Sequence, residues 1–129
     1  MTYDFLIKKR KIIVVAQIQG VNDTRNFNFI LDTGATKTII GERVATTLGY
    51  ELYRLQRGDR LMTAGGGIHS KILKLKKLRL IGKDLINFEV SVIQFPLQIT
   101  VLADGLIGMD FLLKFKNIKF DFEAKTIET

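Results

Sequence analysis

The sequence has no cysteine and no tryptophan, and it has one proline and one histidine. Without cysteine there is no disulfide framework and no thiolate nucleophile. His69 is the sole imidazole, so a Ser-His-Asp or Cys-His centre has one possible base, and a zinc site of the usual kind lacks ligands. No nucleophile motif supplies a serine or cysteine partner for His69. Long apolar runs are missing too. The run at residues 5–7 is too short for a signal-peptide core. No stretch approaches the roughly 20 apolar residues that cross a bilayer. A cytoplasmic location without a membrane span is the expectation.

What remains is globular. The 129 residues suffice for one core but not for two lobes, and 47% are hydrophobic. Eleven glycines and many Val, Ile and Thr favour strands and turns over long helices. The net charge of +7 would attract polyanions weakly, yet a lysine-rich soluble surface accounts for it, and no specific nucleic-acid partner is expected. The basic run Lys8-Lys9-Arg10-Lys11 reads as a solvated lead-in to the first strand, with residues 1–10 loosely ordered. The lysines at 71–80 lack the interleaved aromatics that stack bases.

The informative stretch is Phe29-Ile30-Leu31-Asp32-Thr33-Gly34-Ala35-Thr36. Three apolar residues end a strand, and Asp32 follows where the apolar side chains stop. Gly34 permits a tight turn that a Cβ would obstruct. A carboxylate on such an elbow, flanked by the hydroxyls of Thr33 and Thr36, is a candidate general acid or base. From these residues alone, an Asp-Thr-Gly surface turn of the kind common in hairpins reads equally well.

Around this elbow the pattern predicts a strand at 12–19, a turn at 20–24 and a strand at 25–31 with Phe27, Phe29 and Leu31 on one face. A short strand at 38–40 leads into a helix at 41–48, stopped by Gly49. Residues 61–72 form a hairpin with Gly65, Gly66 and Gly67 at its tip. At 71–80 the buried parity switches across Lys76-Lys77, as a β-bulge would cause. Gly82-Lys83-Asp84 turns the chain into a strand at 88–93. Asp110 is placed to cap a helix at 111–115, and 118–127 reads as a final hairpin with one open edge.

Asp32-Thr33-Gly34-Ala35-Thr36 behind an apolar strand resembles the active-site loop of aspartic proteases, and the short chain resembles the retropepsin-like branch. Leu106-Ile107-Gly108 is similar to that family's second signature, an apolar pair and a glycine before a helix. Viral members carry a basic residue directly after this glycine. Met109 stands there instead, and Gly-Met-Asp-Phe-Leu is more like cellular members, including the retropepsin-like domain of ubiquitin-shuttle proteins.

The resemblance implies one all-β domain over residues 1–129, with one or two short helices and a closed β-barrel-like acid protease fold, one lobe per chain. It implies a flap at Ala64, Gly65, Gly66, Gly67 and Ile68, with His69 exposed beside it, and an apolar pair packed beneath the Asp32 loop. It implies no metal and no cofactor. Peptide hydrolysis of this kind needs two carboxyl groups sharing a proton. The chain has one Asp-Thr-Gly, so the expected assembly is a homodimer that sets Asp32 against its copy, with Thr33 side chains bonding across the axis. A peptide or protein substrate would lie between dyad and flap. The alternative is a non-catalytic homodimeric scaffold or peptide-binding module on the same fold.

Overall fold

The computed structural model describes residues 1–63 and 66–129. Its strands are β1 (Thr2–Asp4), β2 (Leu6–Lys8), β3 (Lys11–Gln19), β4 (Thr24–Leu31), β5 (Ile39–Gly41), β6 (Gln56–Thr63), β7 (Gly66–Leu80), β8 (Lys83–Ile93), β9 (Gly105–Ile107), β10 (Lys119–Asp121) and β11 (Thr126–Glu128). Three short helices, α1 (Glu42–Thr47), α2 (Leu97–Thr100) and α3 (Met109–Leu112), and a 3₁₀ turn at Leu52–Arg54 complete it.

Alternation in β3 sends Val14, Ala16 and Ile18 into the main core, while Ile13 joins Ile30 and Ala103 in a second, smaller cluster on the other face. Phe29 lies in the main core with Phe27 and Leu31 packed against it, as the sequence pattern predicts. The strands that deliver Asp32 are therefore covered on both faces near their ends.

The larger sheet has the order β2-β3-β4-β9-β5-β8-β7-β6, and β3 also pairs with β7. That extra pairing joins β3, β4, β9, β5, β8 and β7 into a ring. Two of the contacts, β4–β9 and β5–β8, are parallel.

The ring explains the parity switch in β7. A bulge would shift the register against β8, but Leu75 faces Phe88 and Lys77 faces Ile86 in one unbroken register. Both strands change face together across Lys76 and Asn87, and Asn87 takes φ 54°. At this point β7 acquires β3 as a second neighbour, with Lys77 to Arg79 pairing with Gln19 to Gln17. The sheet coils around a corner, so Leu73 and Leu75 on one parity and Leu78 and Leu80 on the other all reach the core. The β7–β8 connection is tighter than expected: Ile81 (φ 39°) and Gly82 (φ 78°) form a two-residue loop with both φ positive, as primed hairpin turns require.

The expected loose lead-in is also corrected. β1 pairs with β11, and β2 pairs with β3, so residues 2–4 and 6–8 are strands held by backbone hydrogen bonds. β10 takes the other side of β11, making a separate sheet of order β1-β11-β10. Nothing in the polar, short N-terminal stretch announces partners more than a hundred residues away. α1 ends as predicted, with Gly49 at φ 96° donating its N–H to the Thr46 carbonyl.

Candidate active site

Asp32 follows β4 directly. Its N–H donates to the Ile107 carbonyl at 2.9 Å, continuing the parallel pairing of β4 with β9 for one more step. Its own carbonyl accepts from the Ala35 N–H at 3.1 Å, which closes the turn. The Gly34 N–H donates to Asp32 Oδ1 at 2.9 Å. A Cβ on Gly34 would stand 3.2 Å from that same oxygen, tighter than ordinary contact. The carboxylate is thus oriented by backbone. Thr33 and Thr36 are exposed, and among the described residues neither hydroxyl bonds to Asp32.

Beneath this loop sits the second signature. Ile107 is fully buried and Leu106 half-buried. Gly108 passes so close under the loop that a Cβ would lie 2.5 Å from the Lys37 carbonyl oxygen and 2.9 Å from that of Ala35. The N–H groups of Met109 and Asp110 donate to the Ala35 and Thr36 carbonyls at 2.8 and 3.1 Å.

Asp110 does more than a cap would. α3 begins at Met109 with Gly108 as its N-cap, so Asp110 lies inside the first turn. Its Oδ1 accepts from the Thr38 N–H (2.9 Å), the Thr38 hydroxyl (2.8 Å) and the Phe111 N–H (2.8 Å). The buried Thr38 hydroxyl in turn accepts from the Gly108 N–H at 3.2 Å. This strut pins the end of the Asp32 loop to α3. Sequence reasoning missed it, because Thr38 and Asp110 are 72 positions apart. Gly105 was missed for the same reason: a Cβ there would collide with the Phe29 ring and the Ile39 carbonyl of two neighbouring strands.

Above the loop lies a cleft of about 450 Å³. Asp32 and residues 34–37 line its floor, and Leu61 and Met62 of β6 its roof. Ile93, Phe95, Pro96 and Ile99 form a side wall that the sequence did not reveal. Among the described residues that line the cleft, Asp32 is the only acid. Lys37 is tied to Glu89 at 3.2 Å.

The roof is the β6–β7 hairpin, longer than the sequence suggested, with arms of 8 and 15 residues. Gly66 (φ 110°) and Gly67 open its second arm, while Ala64 and Gly65 of the predicted flap lie outside the described residues. Ile68 and the exposed His69 border a neighbouring cavity of about 490 Å³ that also includes Ile93. Among the described residues no group of three or more His, Asp or Glu could hold a metal ion, and no helix is long and apolar enough to cross a membrane.

Comparison with known proteins agrees with this geometry. The chain is similar to a retropepsin-like aspartic protease from Rickettsia conorii (23% identity, TM-score 0.74), with 98% of this chain and 97% of that one covered. It is also similar to the EIAV protease in complex with the inhibitor HBY-793 (21% identity, TM-score 0.63, 82% and 88% covered). A third likeness is to the retroviral protease-like domain of Ddi1 from Leishmania major (20% identity, TM-score 0.61, 92% and 86% covered). No curated protein sequence matches. The profile of the family described as aspartyl protease matches residues 14–111, a span that contains the Asp32 loop, both arms of the roof hairpin and the strand beneath. The chain belongs to the aspartyl protease family, with a retropepsin-like fold.

Proposed function

We propose that the protein is an aspartic endopeptidase that works as a homodimer, with Asp32 of each subunit forming one proton-sharing pair. The observation that carries this reading is the cleft itself: one backbone-oriented carboxylate under an apolar roof, and no second acid beside it. Two like charges in contact cannot both ionise easily, so one member holds the proton and the other does not. The ionised carboxylate takes a proton from water as the water oxygen attacks the peptide carbonyl carbon. The protonated carboxyl donates to the carbonyl oxygen. Collapse of the tetrahedral intermediate then breaks the C–N bond and returns a proton to the leaving amine. A two-fold axis beside Asp32 supplies the missing partner with no new sequence. The roof hairpin, whose second arm opens with Gly66 and Gly67, acts as the flap that covers the bound peptide and excludes water.

Asp32→Asn tests this directly. It keeps the shape and removes the titrating group, and kcat/KM on apolar peptides is expected to fall at least about a hundredfold. Wild-type cleavage by that variant, or full activity in a protein shown by sedimentation to be monomeric, overturns the proposal.

A further inference from the structure

The basic run at 8–11 is not a tail. Lys8 and Lys11 close the β2–β3 hairpin, and Lys9 and Arg10 are its two loop residues, with φ 51° and 63°. A two-residue loop of this kind is best served by Asn-Gly, because both residues must adopt left-handed backbone that disfavours long side chains. The chain carries two cations there instead, at a conformational cost. Strained positions of this sort point to a role beyond folding.

The placement of the tip suggests which role. Ile13 pairs with Ile30; Lys11 stands two residues before the first and Asp32 two residues after the second. Arg10, Lys11 and Asp32 line one groove of about 270 Å³, together with Ile99 and Leu106. Asp32, Ile99 and Leu106 also line the main cleft, so the groove and the cleft adjoin at the carboxylate as two arms of the site. One arm is apolar and lies under the flap; the other ends on cations. The ion pairs among the described residues use Arg25, Lys37, Arg54, Lys77 and Arg79, which leaves the hairpin-tip cations unpaired.

Building on the protease reading, we propose that Arg10 and Lys11 form a second subsite that selects substrates with an acidic side chain near the cleaved bond. A carboxylate of the peptide would take hydrogen bonds from the Arg10 guanidinium and the Lys11 ammonium, while apolar residues fill the arm under the flap. The preferred substrate is an apolar segment flanked by Asp or Glu.

The test uses peptides with an apolar central pair and Glu, Gln or Lys at each of the three positions on either side. Wild-type protein is expected to cleave the best Glu peptide about fivefold faster in kcat/KM than its Gln twin, with the ratio shrinking as salt rises. In the Arg10→Gln/Lys11→Gln protein the ratio falls to about one, whereas the Arg10→Lys protein, which keeps the charge, keeps most of it. The same peptides, labelled, are titrated onto the Asp32→Asn protein and onto an Asp32→Asn, Arg10→Gln, Lys11→Gln protein by fluorescence anisotropy. Preference for Glu in binding, lost only in the second, supports the subsite even if no peptide is ever cleaved, in which case the protease reading fails alone. Cleavage without a Glu preference at any position, or a preference that survives loss of both cations, overturns the subsite and leaves the protease reading intact. A double variant that dissociates in sedimentation and slows Glu and Gln peptides equally also overturns it, assigning the cations to the subunit contact.

Discussion

The floor and the roof of the cleft are built in opposite ways. The floor is a short turn clamped from below: Gly108 touches two carbonyls, and the Thr38–Asp110 strut fixes the end of the loop. The roof is a long two-stranded hairpin whose cleft-facing Met62 is 81% exposed and whose second arm opens with glycines. Under the proposed function the difference suits each part to its task. A group that moves protons must be held within tenths of an ångström, so its support is dense and cooperative. A cover over a peptide must admit it, so it is drawn from a region with few buried contacts.

This contrast can be broken most severely at Gly108. Gly108→Ala forces a methyl into the Lys37 and Ala35 carbonyls, and we expect a loss of about 3 kcal/mol in urea unfolding, with activity lost alongside. Thr38→Val comes next. It keeps the volume but strands the Gly108 N–H and takes a donor from Asp110, for about 1.5–3 kcal/mol by the same measurement. If the floor is what orients Asp32, kcat should fall more than KM rises. Met62→Ala in the roof should invert the pattern. Its stability should stay within about 0.5 kcal/mol of wild type, while kcat/KM on an apolar peptide drops about threefold to tenfold from lost contact. Equal stability losses in floor and roof would erase the distinction.

The smallest effect lies at the far end of β7, away from both. Asp84 accepts hydrogen bonds from Arg79 at 2.6 and 2.8 Å, and these hold its carboxyl down to about 2. Its folded value lies below the unfolded one. The pair therefore helps stability above the ordinary carboxylate range, and that help is lost as pH falls toward 2. The pair lies at the surface, so the contribution is small and salt-sensitive. Wild type and Asp84→Asn should differ slightly in unfolding midpoint at pH 5 and converge by about pH 2. An acid assay of the protease thus meets no steep stability loss from this pair.

What the sequence made legible was local. Asp32 after an apolar strand, Leu106-Ile107-Gly108 before a helix, and a glycine-rich hairpin each declare themselves within about ten residues. Gly49 could be read as a helix stop because a left-handed C′ position is a local demand. The rest depends on distant partners. Thr38 looks like any strand threonine until Asp110 is beside it, and Gly105 like a turn until Phe29 and Ile39 flank it. Phe95, Pro96 and Ile99 carry no chemistry, so nothing marked them as a cleft wall. The double parity of β7 suggested a bulge because alternation along one strand cannot report that its neighbour coils with it.

The small sheet β1-β11-β10 has a consequence for assembly. Its middle strand is hydrogen-bonded on both sides within one polypeptide, so it offers no slot for a strand lent by another. In the proposed dimer, subunits that meet over Asp32 could part without removing a strand from the middle of that sheet. Under the proposed function, activity would then be governed by concentration: diluted, the chains would keep their circular-dichroism spectrum and fall silent.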